Sequence, residues 1–139
     1  MFLHSFGRFM GWVILTFYIL AALNYILKFI NKRWISKLPR DSKLRKNYTK
    51  VLQFFIKAHP WLGYAAFASV IVHFTIQFRF YGFNVTGFIA GTLMLIQIGI
   101  GNFGQWIKKR KRGNWFLVHR GVTLALLVFI AIHIISAIR

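Results

Sequence analysis

The sequence predicts an all-α membrane protein, a bundle of four transmembrane helices, and three observations lead to this class. Hydrophobic residues make up 58% of the 139-residue chain, and the mean hydropathy is +0.57. Four apolar runs reach the length of about 20 residues with which a helix crosses hydrocarbon; they are 9–30, 58–78, 85–106 and 115–138. The basic residues are concentrated between these runs. We therefore predict a single four-helix transmembrane domain over residues 1–139.

The first run is predicted to be a membrane span and not a cleaved signal peptide. It is long for the apolar region of a signal peptide, and no clear small-x-small cleavage site follows it. In the second span, Pro60 is expected near the start, where its missing N–H costs little. The chain has no cysteine, which excludes disulfides and cysteine-held iron–sulfur clusters.

The charge is strongly positive and unevenly placed. The chain has 19 Lys and Arg residues against a single acid, Asp41, for a net charge of +18. Ten of the cations lie in residues 28–57, and five more are consecutive at 108–112. Since short basic loops stay in the cytoplasm, loops 31–57 and 107–114 are predicted to be cytoplasmic. We therefore expect an integral protein of the bacterial inner (plasma) membrane with both termini outside.

The basic segments have more than one interpretation. Basic runs are typical of nucleic-acid binding, but these are flanked by apolar spans, so we interpret them as topogenic and lipid-facing, with no nucleic-acid partner. Residues 43–57 mix charged and apolar side chains, as a helix lying in the anionic inner interface of the bilayer would. The same surface could dock an acidic cytosolic partner, and the sequence leaves both open.

Two of the predicted spans carry histidines in pairs of equal spacing. His59 and His73 are fourteen residues apart, and so are His119 and His133, whereas His4 has no partner at this spacing. Fourteen residues of α-helix rise about 21 Å and rotate about 1400°, or about 40° short of four full turns. Both histidines of a helix therefore point the same way. Spans two and four run in the same direction, so His59 and His119 share the cytoplasmic level, and His73 and His133 the outer level.

Ionisable side chains inside a bilayer are costly and usually functional. Each level offers two imidazoles on facing helices, an arrangement that suits six-coordinate haem iron in a helix bundle. The sequence thus predicts two stacked b haems enclosed by the bundle: His59 and His119 ligate the inner iron, and His73 and His133 the outer iron. A divalent-cation pathway or a proton relay is disfavoured, because the single acid, Asp41, lies outside every span. A stripe of structurally satisfied histidines is disfavoured by the two matched pairs.

Weaker candidates accompany the histidines. Gly87 and Gly101 on span three are also fourteen residues apart, and each could let a macrocycle lie against the backbone. Helix packing through Gly87-x-x-x-Gly91 is the equal alternative. Arg120 and Lys57 flank the inner histidines and could pair with haem propionates, although snorkelling to the interface is the favoured interpretation.

Two segments carry a family resemblance. Residues 59–73 read HPWLGYAAFASVIVH, and residues 115–121 read WFLVHRG, followed by AIH at 131–133. They resemble the haem helices of ferric-reductase-like transmembrane domains, the group that includes the membrane parts of NADPH oxidases and ferric reductases. The resemblance implies a di-haem b-type cytochrome with the four histidines as ligands, electrons passing from inside to outside, and basic loops beside a dehydrogenase. Other cytochrome b families share a similar plan.

The chain departs from the larger members of that group. No Gly-rich phosphate-binding fingerprint follows a strand, so we expect no flavin or nicotinamide domain here. Electrons would then come from a separate cytoplasmic reductase or from quinol, and pass to an outer acceptor such as ferric iron, an oxygen species or a carrier protein. The alternative is a membrane-anchor cytochrome b subunit that exchanges electrons between quinone and a partner dehydrogenase. The sequence leaves open whether the chain is itself an enzyme and whether it forms a homo-oligomer or a larger complex.

Overall fold

The computed structural model describes residues 2–107, 109 and 113–138, which form helices and no strand. The elements in chain order are α1 (Phe2–Arg33), a 3₁₀ turn (Ile35–Lys37), α2 (Lys43–Tyr81), α3 (Val85–Asn102), a π-helical turn (Phe103–Ile107) and α4 (Asn114–Ile138). Four helices are long and apolar enough to cross a membrane. The prediction of an all-helical chain with four such helices is confirmed. The predicted basic cluster at 108–112 lies, apart from Lys109, outside the described residues, as does Arg139.

The chain forms two compact units. The first contains Met1–Met10 and Val70–Arg139, and so includes α3, α4 and the C-terminal end of α2. The second contains Gly11–Ser69, which is most of α1, the 3₁₀ turn and the first part of α2.

The second unit is a hairpin of two helices. Its buried apolar side chains are Tyr18, Ile35, Leu52 and Ala66, of which Ala66 is 1% exposed. The Tyr48 hydroxyl donates a hydrogen bond to the Leu27 carbonyl at 2.8 Å and so joins α2 to α1.

Helix α2 is much longer than the predicted second span. It has 39 residues, or about 58 Å at the rise of an α-helix, whereas the hydrocarbon core of a bilayer is about 30 Å thick. Residues 43–57 are therefore continuous with the span and do not form a separate helix. Hydropathy identifies only the apolar part of a helix, but Lys, Arg and Gln are also good helix formers, so the helix begins at Lys43.

We expected Pro60 near the start of a helix, and this was wrong because α2 begins at Lys43. Pro60 lies inside α2, seventeen residues after Lys43, and not near a helix start. Having no N–H, it cannot donate to the carbonyl four residues earlier. Membrane helices tolerate such a proline where neighbouring groups take up the released carbonyl.

In the first unit, glycine and asparagine shape the connection from α2 to α3. Gly82 has a φ of 74°, a left-handed conformation that glycine adopts without steric cost and that ends many helices. Its N–H donates to the Phe78 carbonyl at 3.0 Å. Asn84 then caps α3, since its side chain accepts a hydrogen bond from the Gly87 N–H at 2.9 Å.

Helices α3 and α4 are antiparallel neighbours, and their contact contains Met94 and Leu126, which are 4% and 1% exposed. At the end of this contact the π-helical turn places Gly104 against the Trp115 ring, which occupies the space that a Cβ on Gly104 would need. The contact holds the start of α4 against the end of α3.

We expect Gly104→Ala to destabilise the α3–α4 pair, because its methyl group would overlap the Trp115 ring and overpacking costs about 1–3 kcal/mol. The thermal unfolding midpoint in detergent, followed by circular dichroism, should fall by several degrees. Gly99→Ala is the matched control, since no described atom lies within 4 Å of a Cβ there. It should leave the midpoint unchanged or slightly raised. Equal midpoints for the two variants would contradict the contact.

Candidate functional site

The four predicted ligands are partly buried side chains of α2 and α4. His73, His119 and His133 belong to the first unit, and His59 belongs to the second. The pairing of His73 with His133 can therefore be described within one unit. The predicted pairing of His59 with His119 joins residues of different units and stays a prediction.

The structure brings His73 and His133 together. Their ring centroids are 6.2 Å apart, and the ring planes are at 85° to each other. An imidazole nitrogen binds a metal ion at about 2 Å and lies about 1 Å from the centre of its own ring, so two imidazoles on opposite sides of one ion have centroids about 6 Å apart. The observed separation matches that of two imidazoles on opposite sides of one ion, and it also lies in the range of an ordinary edge-to-face ring contact.

Both histidines of α2 are oriented by a backbone carbonyl of α1. The His73 Nδ1 lies 2.8 Å from the Gly7 carbonyl oxygen, and the His59 Nδ1 lies 3.1 Å from the Ala21 carbonyl oxygen. A carbonyl oxygen only accepts, so in both rings Nδ1 must carry the proton. Gly7 and Ala21 are themselves fourteen residues apart, which matches the spacing of the two rings they orient.

The absence of a side chain at Gly7 makes its contact with α2 possible. A Cβ at Gly7 would lie 2.9 Å from Cγ2 of Ile76 and 3.1 Å from Nε2 of Gln77. Any larger residue would push the two helices apart and withdraw the carbonyl from His73.

His133 is held by α3 instead. Its Nδ1 lies 3.1 Å from the Thr86 hydroxyl oxygen, and a Cβ on Gly87 would lie 3.0 Å from its Cε1 atom. No hydrogen bond joins the Nε2 atom of His73 or His133 to any residue in the described part of the chain. Both rings are thus fixed through Nδ1, with Nε2 as the nitrogen left for a ligand.

His119 has a different set of contacts. The Gln97 amide nitrogen donates to the Thr123 hydroxyl at 2.6 Å and lies 3.2 Å from the His119 Nε2. Thr123 donates its own proton to the His119 carbonyl at 2.8 Å. The Gln97 side-chain amide therefore faces both Thr123 and the His119 ring.

His59, His73 and His133 therefore share one tautomer, with the proton on Nδ1 and a lone pair on Nε2. Histidines that ligate metals typically donate one ring N–H to a carbonyl or another acceptor and bind the metal through the other nitrogen, and these three rings follow this pattern. In His119 the Nε2 atom lies 3.2 Å from the Gln97 amide nitrogen, so a ligand at this nitrogen must displace that amide.

The predicted glycines lie against the histidines of α4. Gly87 faces His133, and Gly101 faces His119, with a Cβ-to-Cε1 separation of 3.5 Å at the second site. The shared spacing of fourteen thus reflects a glycine opposite each ring. Gly91 contacts a different helix, since the nearest atom to its Cβ is Cγ1 of Val70 at 3.8 Å. The glycine pair therefore does not form one Gly-x-x-x-Gly contact.

Sequence reasoning missed four of the residues that orient the rings, namely Gly7, Ala21, Thr86 and Gln97. The fourteen-residue spacing of Gly7 and Ala21 was a signal that could have identified the first two. Thr86 and Gln97 stand out in the sequence only as polar residues in an apolar helix.

The predicted cations are exposed side chains of α2 and α4. Arg120 is exposed, and its guanidinium carbon lies 5.8 Å from the centroid of the Phe116 ring. Lys57 is also exposed. Their pairing with propionates stays a prediction.

Gly87→Ala should displace the His133 ring, because the added methyl group would lie 3.0 Å from Cε1. We expect the free energy of unfolding to fall by about 1–3 kcal/mol, which lowers the thermal unfolding midpoint. The ¹⁵N chemical shifts of the His133 imidazole should also change. Gly91→Ala is the control on the same helix, where the new methyl group makes an ordinary contact at 3.8 Å. If Gly87→Ala behaved like Gly91→Ala in both measurements, the close contact would not exist.

Comparison with known proteins leaves the candidate site to be judged on its geometry. No protein-family model, curated protein or solved structure matches the chain. The resemblance to ferric-reductase-like domains therefore rests on the histidine segments and loop charges, and what it implies enters below only as a proposal.

Proposed function

We propose that the protein is a di-haem b-type cytochrome that moves electrons across a membrane, from a cytoplasmic reductase or quinol to an acceptor on the outer side. The observation that supports it most directly is the separation of 6.2 Å between the His73 and His133 ring centroids. The common tautomer of His59, His73 and His133 supports it further, because Nε2 of each ring carries the lone pair that iron ligation needs.

The residues at the outer level fit a bis-histidine haem. His73 and His133 would ligate its iron through Nε2, and their Nδ1 atoms are already held by Gly7 and Thr86. When bound, haem iron with two imidazole ligands supplies a one-electron ferric–ferrous couple with no open coordination position, which favours electron transfer over oxygen binding. At the inner level the proposed ligands are His59 and His119.

The histidine spacing along each helix would place the two proposed haem sites at different depths of the membrane. On each of α2 and α4 the two histidines are fourteen residues apart, a rise of about 21 Å. Buried apolar residues lie midway between them, Ala66 on α2 and Leu126 on α4, each 1% exposed. Each of these buried side chains separates the two histidines of its own helix by apolar surface.

The charge distribution supports the direction of transfer. The cations of residues 28–57 would face a donor on the cytoplasmic side, since basic loops stay inside. Ferric iron, an oxygen species or a carrier protein is the proposed acceptor at the opposite end. The resemblance to ferric-reductase-like domains supports the same direction.

The pairing of the ligands can be tested by combining substitutions. The purified protein should bind about two low-spin b haems per chain, as measured by pyridine haemochrome. His73→Ala, His133→Ala and their double variant should each lose one haem, because both residues serve the same iron. The double variant His73→Ala/His119→Ala should lose both, because it removes a ligand from each level.

His4→Ala is the control and should keep both haems. Two results would contradict the proposal: wild-type protein without haem, or a His73→Ala/His133→Ala variant that loses both haems. The second result would preserve haem binding but refute the pairing.

Transfer across the bilayer can be measured in sealed vesicles that contain trapped ascorbate, with ferricyanide outside. Vesicles with the wild-type protein should reduce external ferricyanide, and His133→Ala should lower the rate about tenfold or more by removing the outer site. His4→Ala should leave the rate unchanged. A wild-type rate equal to that of protein-free vesicles would refute transmembrane transfer even if haem were bound.

A further inference from the structure

The N-terminal cap of α3 is joined to the His133 imidazole through a single hydroxyl group. Asn84 Oδ1 accepts from the Gly87 N–H at 2.9 Å and from the Thr86 hydroxyl at 2.8 Å. The Thr86 oxygen lies 3.1 Å from Nδ1 of His133. The chain of hydrogen bonds thus runs from a backbone amide of α3 to a proposed haem ligand on α4.

The donor and the acceptor are determined for each hydrogen bond from Gly87 through Asn84 and Thr86 to His133. A backbone N–H can only donate, so the atom of Asn84 that faces Gly87 must be the amide oxygen. That oxygen can only accept, so Thr86 must give its one proton to Asn84. The Thr86 oxygen is then left as an acceptor, and Nδ1 of His133 must donate to it.

The neighbouring Ser136 hydroxyl does not change these donor and acceptor roles. This hydroxyl donates to the His133 carbonyl at 2.8 Å and lies 3.1 Å from the Thr86 oxygen. Whichever of these two contacts receives the Ser136 proton, the Thr86 proton stays on the side of Asn84. The tautomer of His133 therefore depends on Thr86.

We propose that Thr86 is a positioning residue that fixes His133 with its proton on Nδ1 and so sets the electron-donating strength of this ligand. The inference rests on the proposed function for its redox consequence, but the tautomer itself does not depend on haem. Thr86 contacts neither the iron nor an acceptor, and acts only through His133.

The donor and acceptor roles in this series of hydrogen bonds determine its effect on the proposed outer site. Donation from Nδ1–H increases the basicity of Nε2, and a more basic ligand stabilises ferric over ferrous iron. The Thr86 oxygen is a better acceptor because its own proton is engaged by Asn84. His73 donates instead to the Gly7 carbonyl, so Thr86 influences one of the two outer ligands and neither proposed inner ligand.

The test uses three threonine variants. Thr86→Val removes the acceptor but keeps the shape of the side chain, and Thr86→Ser restores the hydroxyl. Thr92→Val is the matched control, because Thr92 lies on the same helix and donates only to the Phe88 carbonyl, at 2.9 Å. The His73→Ala variant, which should retain only the inner haem, assigns the two midpoint potentials.

In Thr86→Val the ferric-to-ferrous ratio of the outer haem at a fixed potential should fall about tenfold, which corresponds to a rise of about 60 mV in its midpoint. The inner midpoint should not change. Thr86→Ser and Thr92→Val should both give wild-type potentials. An unchanged outer midpoint in Thr86→Val, or an equal shift in Thr92→Val, would overturn the inference while leaving the di-haem proposal intact.

A second measurement needs no haem. In haem-free protein with ¹⁵N-labelled histidine, His133 should show a protonated Nδ1 and an unprotonated Nε2, and Thr86→Val should lose this single form. If His133 carried its proton on Nε2 in the wild type, the assignment would be wrong, whatever the cofactor. If the tautomer agreed but the wild type bound no haem, the proposed function would fail while the role of Thr86 in orienting His133 stood.

Discussion

Hydrogen bonds from each imidazole to the neighbouring helix are the constraint on which the candidate site depends. A ring inside an apolar bundle has no water to pair with, and an unpaired polar group there is costly. α2 meets this requirement with carbonyls of α1, and α4 meets it with Thr86 and Gln97 of α3. Since the partner must lie directly opposite each ring, the helices around the histidines have to approach closely. The glycines at 7, 87 and 101 allow this approach.

The fourteen-residue spacing has a packing origin as well as a chemical one. Helices that pack at a shallow angle repeat their contacts about every seven residues, so fourteen residues are two repeats. On α4, Leu126 lies midway between His119 and His133, and on α3, Met94 lies midway between Gly87 and Gly101. Spacing alone therefore locates the buried face of a helix. The imidazoles at both ends of that face turn a packing pattern into an argument for ligation.

The sequence predicted the helices better than their ends, and it drew attention to the four histidines but not to the residues that orient them. Hydropathy identified four helices because each carries a long apolar stretch, but it could not show that α2 begins at Lys43, since charged residues favour a helix as well as apolar ones do. The histidines were found because ionisable groups are rare in spans. Thr86 was missed because its role depends on Asn84 and on the antiparallel approach of α4, and neither is encoded in the local pattern. Gly7 and Ala21 repeat the spacing of the rings, yet small residues in an apolar helix have many other uses.

The two proposed ligands of α4 differ in what a metal must displace. At His133 the Nε2 makes no hydrogen bond within the described part of the chain, so the site needs no exchange of partners. At His119 the Gln97 amide nitrogen lies 3.2 Å from Nε2 and would have to give up this contact, at a cost of about 0.5–1.5 kcal/mol. The loss is small beside the energy of a metal–ligand bond, and Gln97 would keep its hydrogen bond to Thr123. The amide is therefore better understood as a partner that satisfies a polar ring before a cofactor is bound than as a barrier to binding.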